Sequence, residues 1–577
     1  MATKLPRPLH KLAKRLLQRV GLTTPTRPAR AQHVASPQSL RDHQALFERE
    51  VIEAAPGVHV AVGFGLANAI LLEGDDGVVI IDSMESEPAA KEVKTAFNAI
   101  TSKPVKALIY THNHADHIFG GHVMAGDDNP EVYSHATTPE LIRRIMSVIR
   151  PTISRRSMRQ FGVMLSPQDR IGCGIGPELR YDPQASPSIL WPTKTFEERL
   201  ELTVAGLDLV LLHTPGETPD QIAIWKPQDK VLMPADNIYQ SFPNLYAIRG
   251  TAYRDVMAWV RTLDTLRSLG AEHLVPSHTR PLHGKARIAA ALQNYRDAIQ
   301  FVHDQTIQGI NKGMSVDELV QHVQLPAHLA EDPWLHEHYG RVDWSVRAIY
   351  QGYLGWFEED AAFLSPMSAL ERAHKTAKLA GGVQNLHQQA RKAANDGDWR
   401  WTLELTSHLL AINPDDEAAK TLRAQGLQGM ASAETSANGR NYLLTQALET
   451  QGELTIPEPD PAVAARNIIG DMPAAMVMKA MPVQLRAQKC LDMTQSMTLH
   501  LSDTQEDFTL HVRRGVAQLE MADHPSADIR VSTTSIIWKE MLIGTRNPAV
   551  TLAGSGVSIT KGNVASLARF LLLFKKA

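Results

Sequence analysis

The run Thr111-His112-Asn113-His114-Ala115-Asp116-His117 constrains this chain more than any other stretch. Three imidazoles and a carboxylate fall within the six positions from His112 to His117. They follow directly on an apolar run, residues 105–110, that reads as a buried strand. A rigid strand end can aim side chains at a metal. Histidine and carboxylate are the ligands zinc takes when one position must stay open for chemistry. The plain alternative, a polar loop that happens to be rich in histidine, gives no reason for such density.

The pattern around this run alternates short apolar strands with helical stretches from about residue 50 to 290. Residues 58–62, 69–72 and 78–82 read as strands, with a turn at Gly74-Asp75-Asp76-Gly77. Residues 87–100 read as a helix. Further strands are expected at 207–212, 222–225, 231–233 and 273–276. Strands covered by helices, with ligands at strand ends, describe an α/β layered architecture.

Candidate ligands recur after the later strands. Thr214-Pro215-Gly216-Glu217 follows 207–212, Pro234-Ala235-Asp236 follows 231–233, and Pro276-Ser277-His278 follows 273–276. Taken singly, Glu217 reads equally as a helix cap, Asp236 as a turn residue and His278 as a surface residue. Their joint placement after strands favours a metal role. Alternate residues of an extended loop face alike, so His112 and His114 are expected on one ion with Glu217. Asp116, His117 and His278 are expected on a second, with Asp236 bridging the pair.

Beyond residue 290 the pattern changes twice. Residues 295–445 read as almost wholly helical. Gly397-Asp398-Trp399 and Asn413-Pro414-Asp415 sit where a helix-turn-helix repeat places its turns. The aromatic-rich stretch from Trp334 to Phe357 is more than such a repeat needs and points to a buried partner surface. Ile456-Pro457-Glu458-Pro459-Asp460-Pro461 breaks any helix and reads as a linker. After it, Met497, Leu499, Leu501 and then Phe508, Leu510, Val512 alternate as an antiparallel hairpin with one buried face. Helices are expected from Ser535 and from Asn563.

At 577 residues the chain is too long for one core, and 43% hydrophobic with 21% charged residues is ordinary globular composition. A net charge of −3 offers no global attraction for nucleic acid. Two distant cysteines, Cys173 and Cys490, imply no disulfide framework. Residues 1–41 contain no acid and nine cations, with Leu9, Leu12, Ala13, Leu16, Leu17 and Val20 at helical spacing. Three readings stay open for this basic helix: a peripheral membrane contact, a transit peptide, or docking on the protein body. No continuous apolar stretch of a secretory signal follows the charges, so the expected location is the cytoplasm, with the periplasm as alternative.

The His-x-His-x-Asp-His run, the Thr-Pro-Gly turn, Asp236 and His278 resemble the metallo-β-lactamase fold superfamily. Glu217, where the turn normally ends in histidine, resembles its alkyl sulfatase branch, the SDS hydrolases. Phe64-Gly65-Leu66-Ala67-Asn68, residues 244–250, Tyr339-Gly340 and residues 349–357 look like further segments of that branch. Two departures bear on the exact substrate: Asp236 stands where the branch usually has Glu, and the turn before Glu217 is one residue shorter. The resemblance implies an αβ/βα sandwich carrying two Zn2+ ions over residues 46–294, after a basic extension at 1–45. It implies an all-α dimerisation domain at 295–445 and an α+β sterol-carrier-like domain at 446–577.

The implied activity is hydrolysis of alkyl sulfate esters such as dodecyl sulfate to alcohol and inorganic sulfate. Asp116 and Asp236 would take part in catalysis, and Asn244 and Arg249 would bind the sulfate. Arg249 offers a permanently charged fork matched to its oxygens. The expected assembly is a homodimer. An apolar groove for the alkyl tail is expected to be lined partly by the C-terminal unit. The rival readings are another hydrolase of the same fold, acting on a thioester, lactone, lactam or phosphodiester, and a lipid-binding protein with a vestigial metal site.

Overall fold

A computed structural model describes residues 34–147, 149–181, 187–458, 463, 469–554 and 556–574. Two sheets form the centre of the first unit. In one, seven strands lie side by side in chain order: β1 (Glu50–Ala55), β2 (Val58–Val62), β3 (Ala69–Glu73), β4 (Val78–Ile81), β5 (Val105–Ile109), β6 (Glu131–His135) and β7 (Lys194–Phe196). The first four pair antiparallel; β4 to β7 pair parallel, and helices such as Glu87–Asn98 make the crossovers. The second sheet comprises β8 (Arg199–Val204), β9 (Leu207–His213), β10 (Ile222–Lys226), β11 (Val231–Met233), β12 (His273–Leu274) and β13 (Leu282–His283). Its spatial order reverses the chain order, from β13 to β8.

Strand alternation explains the layering. Val58, Val60 and Val62 of β2 meet Leu209 and Leu211 of β9 and Ile222 and Ile224 of β10 in one buried cluster between the sheets. The other face of the first sheet buries Leu71, Ile80 and Leu108 against Val93 and Phe97 of the helix Glu87–Asn98. The outer face of the second sheet is covered by the helices Val256–Ser268 and Lys285–Asn311, through Trp259, Leu263, Leu292 and Tyr295. This is the expected αβ/βα sandwich. The expected boundary between residues 294 and 295 falls inside the helix Lys285–Asn311, which carries the sandwich covering directly into the helical unit.

The helical unit is built from capped helices. Asp398, Asp416 and Ser436 each accept a backbone N–H three residues on and start the helices Trp399–Ile412, Glu417–Ala433 and Ala437–Thr450. The C-terminal unit is a five-stranded sheet ordered β16-β15-β14-β17-β18. Its strands are β14 (Thr494–Leu501), β15 (Glu506–Arg513), β16 (Val516–Glu520), β17 (Ile529–Thr533) and β18 (Val557–Lys561). The expected hairpin pairs Met497 with Leu510 and Leu499 with Phe508, all fully buried. Helices begin at Ser535 and, capped by Asn563, at Val564.

The basic helix expected at the N-terminus falls mainly on residues 1–33, outside the described residues, and nothing supports its membrane contact. The end of the proline linker, residues 459–461, also lies outside them. Among the described residues no helix is long and apolar enough to cross a membrane.

Candidate metal centre

Strand β5 ends at Ile109, and the chain then runs through Tyr110 and Thr111 to His112. His114 itself is extended, but the extended loop stops there. His114 caps a one-turn helix, Ala115–Ile118, that carries Asp116 and His117. Spacing by alternate residues therefore breaks down after His114, and helical geometry turns Asp116 and His117 inward. Glu217 follows β9, Asp236 lies in a short 3-10 turn after β11, and His278 follows β12. Asp82, Ala235 and Thr279, all near these ligands, hold φ of 61°, 55° and 64°. Left-handed backbone at non-glycine residues is costly and gathers where a site dictates geometry.

All seven candidate ligands converge at one end of the sandwich. His112, His117 and Asp236 bring ligand atoms within 4.8 Å of one another; so do Asp116, His117 and His278, and so do His114, Glu217 and Asp236. Asp236 belongs to two of these groups. Its Oδ2 lies 3.2 Å from His278 Nε2, 3.5 Å from His117 Nε2 and 3.6 Å from His112 Nε2. Asp116 Oδ2 lies 3.4 Å from His117 Nε2 and 3.7 Å from His278 Nε2. His114 Nδ1 lies 2.9 Å from His112 Nε2 and 4.0 Å from Glu217 Oε1.

The far side of each ring is held. His117 Nδ1 lies 2.7 Å from Asp82 Oδ2, and His278 Nδ1 lies 2.9 Å from the Leu66 carbonyl. His112 Nδ1 lies 3.0 Å from Thr111 Oγ1, which donates to Asp82 Oδ2. These contacts leave Nε2 of all three rings facing the centre, the arrangement that outer partners impose on metal-bound histidines. Asn68 fixes the His278 loop by donating its Nδ2 to the carbonyls of Pro276 and Thr279. Arg254 Nη1 sits 2.9 Å from Glu217 Oε1 and also donates to the Asn244 carbonyl.

The electrostatics favour a cation. Burial alone would lower the His117 imidazole, but Asp236, Asp116 and Asp82 overcome it and raise it well above the usual histidine range. His278 is raised against burial by Asp236 and Asp116. Asp236 is held well below the carboxylate range by His278, His117 and His112, although burial opposes this. Burial pushes His112 down to about 3 and His114 well below its usual value, so both present neutral nitrogens. Buried His117 Nε2 and Asp236 Oδ1 have no hydrogen-bond partner. Orphaned ligand atoms in a buried cluster of imidazoles and carboxylates fit a bound divalent ion.

The sandwich, residues 62–278, matches the model of the metallo-β-lactamase superfamily. Residues 315–453 match alkyl sulfatase dimerisation, and 462–577 the alkyl sulfatase C-terminal family. A linear primary-alkylsulfatase of a Pseudomonas sp. is 34% identical over 87% of this chain and 98% of its own length. The chain belongs to the alkylsulfatase family. The alkyl/aryl-sulfatase BDS1 of Saccharomyces cerevisiae is 29% identical over 81% of this chain and 73% of its own. Among solved structures, a stereoselective inverting sec-alkylsulfatase of a Pseudomonas sp. superposes with a TM-score of 0.88 at 25% identity, covering 94% of this chain and 87% of that one.

Within this alkylsulfatase fold a cavity of about 210 Å³ opens beside the cluster. His114, Asp116, Glu217, Asp236 and Arg249 are among its lining residues. Ile145, Met146, Ile153, Met158, Phe161 and Leu179 make its remaining wall largely apolar. Arg249 Nη2 lies 3.1 Å from His114 Nε2, and its backbone is braced by Arg156 and Gln160. The Asn244 side chain is not among the lining residues; it is buried with both amide atoms unpartnered.

The expected contribution of the C-terminal unit to the groove is corrected. No described residue of that unit lines the cavity. Instead Met472 and Met476 pack with Ile142 and Met146 in one core cluster, behind the helix Thr138–Ser147. Asp82, Glu85, Arg254 and Tyr239 surround the cluster without having been singled out from sequence. Of these only Asp82 had a signal, a carboxylate ending an apolar strand.

Proposed function

We propose that the protein hydrolyses alkyl sulfate esters, with dodecyl sulfate as the model substrate, to the alcohol and inorganic sulfate. One observation carries this reading: a largely apolar cavity holds cations in its wall, Arg249 with Arg150 and Arg180, beside a cluster of metal-ligating side chains. That combination suits an amphiphile with a compact anionic head. The curated relatives, linear primary- and (R)-specific secondary-alkylsulfatases among them, support it.

His112, His114 and Glu217 would hold one zinc ion and Asp116, His117 and His278 a second, with Asp236 between them. Bound there, the ions would supply Lewis acidity and hydroxide near neutral pH. The other steps fall to the chain. Arg249 binds and orients the sulfate through charge-assisted hydrogen bonds, moving from His114 to the ester oxygens. Asn244, whose side chain does not line the cavity, serves the site through its carbonyl, which accepts from Arg254. Arg254 holds Glu217 in place by pairing with the oxygen it turns toward His114. The walls around Ile153 and Phe161 exclude water from the tail. The helical unit supports a homodimer, because Tyr353, Leu354, Trp356, Phe363 and Leu364 stand exposed along one segment.

Arg249→Ala tests the substrate side. Sulfate release from dodecyl sulfate should show a raised KM and a rate constant kcat/KM lower by about 10- to 100-fold, as for loss of a charged hydrogen bond. Unchanged kinetics would remove Arg249 from the site.

A further inference from the structure

Among the described residues, one cluster of metal-ligating side chains lies away from the cleft. His511 of β15, Glu520 at the end of β16 and His524 in the following loop bring ligand atoms within 4.8 Å of one another. Glu520 Oε2 lies 3.0 Å from His524 Nε2 and 3.6 Å from His511 Nε2. The two imidazoles meet edge to face, their centroids 4.9 Å apart. We propose that these three side chains form a second, independent binding site for a divalent transition-metal ion on the C-terminal unit, with zinc as its natural fit.

An ordinary surface ion pair would need only one of the histidines. Here the second is left over: His511 Nε2 is buried and has no hydrogen-bond partner. The carboxylate is also pre-set. Gln518 Nε2 donates to Glu520 Oε1 at 2.8 Å, which leaves Oε2 turned to both rings. The loop carrying His524 is fixed from below, because its carbonyl accepts from Arg530 Nη1 at 2.8 Å and from Thr498 Oγ1 at 3.3 Å. Thr509 Oγ1 donates to the Ala522 carbonyl in the same loop. Ligands 2.0–2.1 Å from one tetrahedral ion stand about 3.3 Å apart, close to the spacings observed here. Two imidazoles and one carboxylate leave a fourth position for water, and borderline divalent ions such as zinc prefer this set to calcium or magnesium.

The loop between β16 and β17 must pass from the edge strand over β15 and β14, since β17 lies on the far side of β14. An ion at this cluster would tie that crossing to the strands beneath it. His511, Glu520 and His524 are 18%, 35% and 43% exposed, so the ion can exchange with solvent.

The test counts metal in untagged full-length protein equilibrated with buffered zinc. Glu520→Gln and His524→Gln should each hold one zinc ion fewer per chain than the parent, with unchanged sulfate-ester turnover. His511→Gln gives the same comparison should either of these misfold. Equal metal content in the parent and the folded variants would overturn the site. The outcome does not depend on whether the cleft hydrolyses sulfate esters, because the difference in metal content is read directly.

Discussion

Glu85 sits beside the candidate ligands without being one of them. Its carboxyl lines the cavity with Asp116 and accepts from the backbone N–H groups of Arg180 and Leu66. Burial raises it from 4.5 to about 7, with those donors opposing. Between these values the folded chain keeps a proton that the unfolded chain has released. Stability from this group is therefore full at low pH and falls as pH rises through that window, by about 3 kcal/mol in total. Glu85→Gln lacks the titration. Chemical denaturation at about pH 5 and about pH 8 should show the parent losing stability relative to this variant, and parallel profiles would contradict the burial of an acid here. The ligands were legible in sequence because six positions carry four donors, and because Glu217, Asp236 and His278 each follow an apolar run. Arg254 was not. It pairs with Glu217 across 37 positions of chain and stands in no pattern, so only tertiary packing brings it to the site.

At the scale of elements, strands were the most legible part. Residues 58–62 and 231–233 form the strands expected of them, the first with Val58, Val60 and Val62 alternating and the second as a continuous apolar run. The helix Ala115–Ile118 was missed because one turn is too short to show a period. The path of the alkyl wall was missed for a different reason. Helix Thr138–Ser147 presents Ile145 and Met146 to the cavity while Ile142 and Met146 meet Met472 and Met476 of the C-terminal unit. Lys479 Nζ stands 3.4 Å from Glu140 at the same junction. The C-terminal unit thus acts on the cavity through one helix. Met476→Ala removes buried volume behind that helix and should cost about 2–5 kcal/mol locally. KM across a series of alkyl sulfates should then rise most for the longest chains. A uniform change, or none, would detach the C-terminal unit from chain-length selection.

For the whole molecule, three units share one polypeptide, and the exposed aromatic segment of the helical unit is its least satisfied surface. Trp356 is 67% and Leu364 61% exposed, too large an apolar face for a monomer to leave in water without purpose. In analytical ultracentrifugation the parent should sediment at twice the chain mass, and Trp356→Asp with Leu364→Asp should shift it toward the monomer. An unshifted mass would place the interface elsewhere. Metal-dependent ester hydrolysis is assigned to the first unit, where His114, Asp116, Glu217 and Asp236 line a largely apolar cavity with Arg249, Arg150 and Arg180. It is tested by following sulfate release from dodecyl sulfate before metal removal, after exhaustive chelation, and after zinc is restored. The expected result is loss of turnover on chelation and recovery as the cleft takes up about two zinc ions per chain. Full sulfate release from metal-free protein would contradict it.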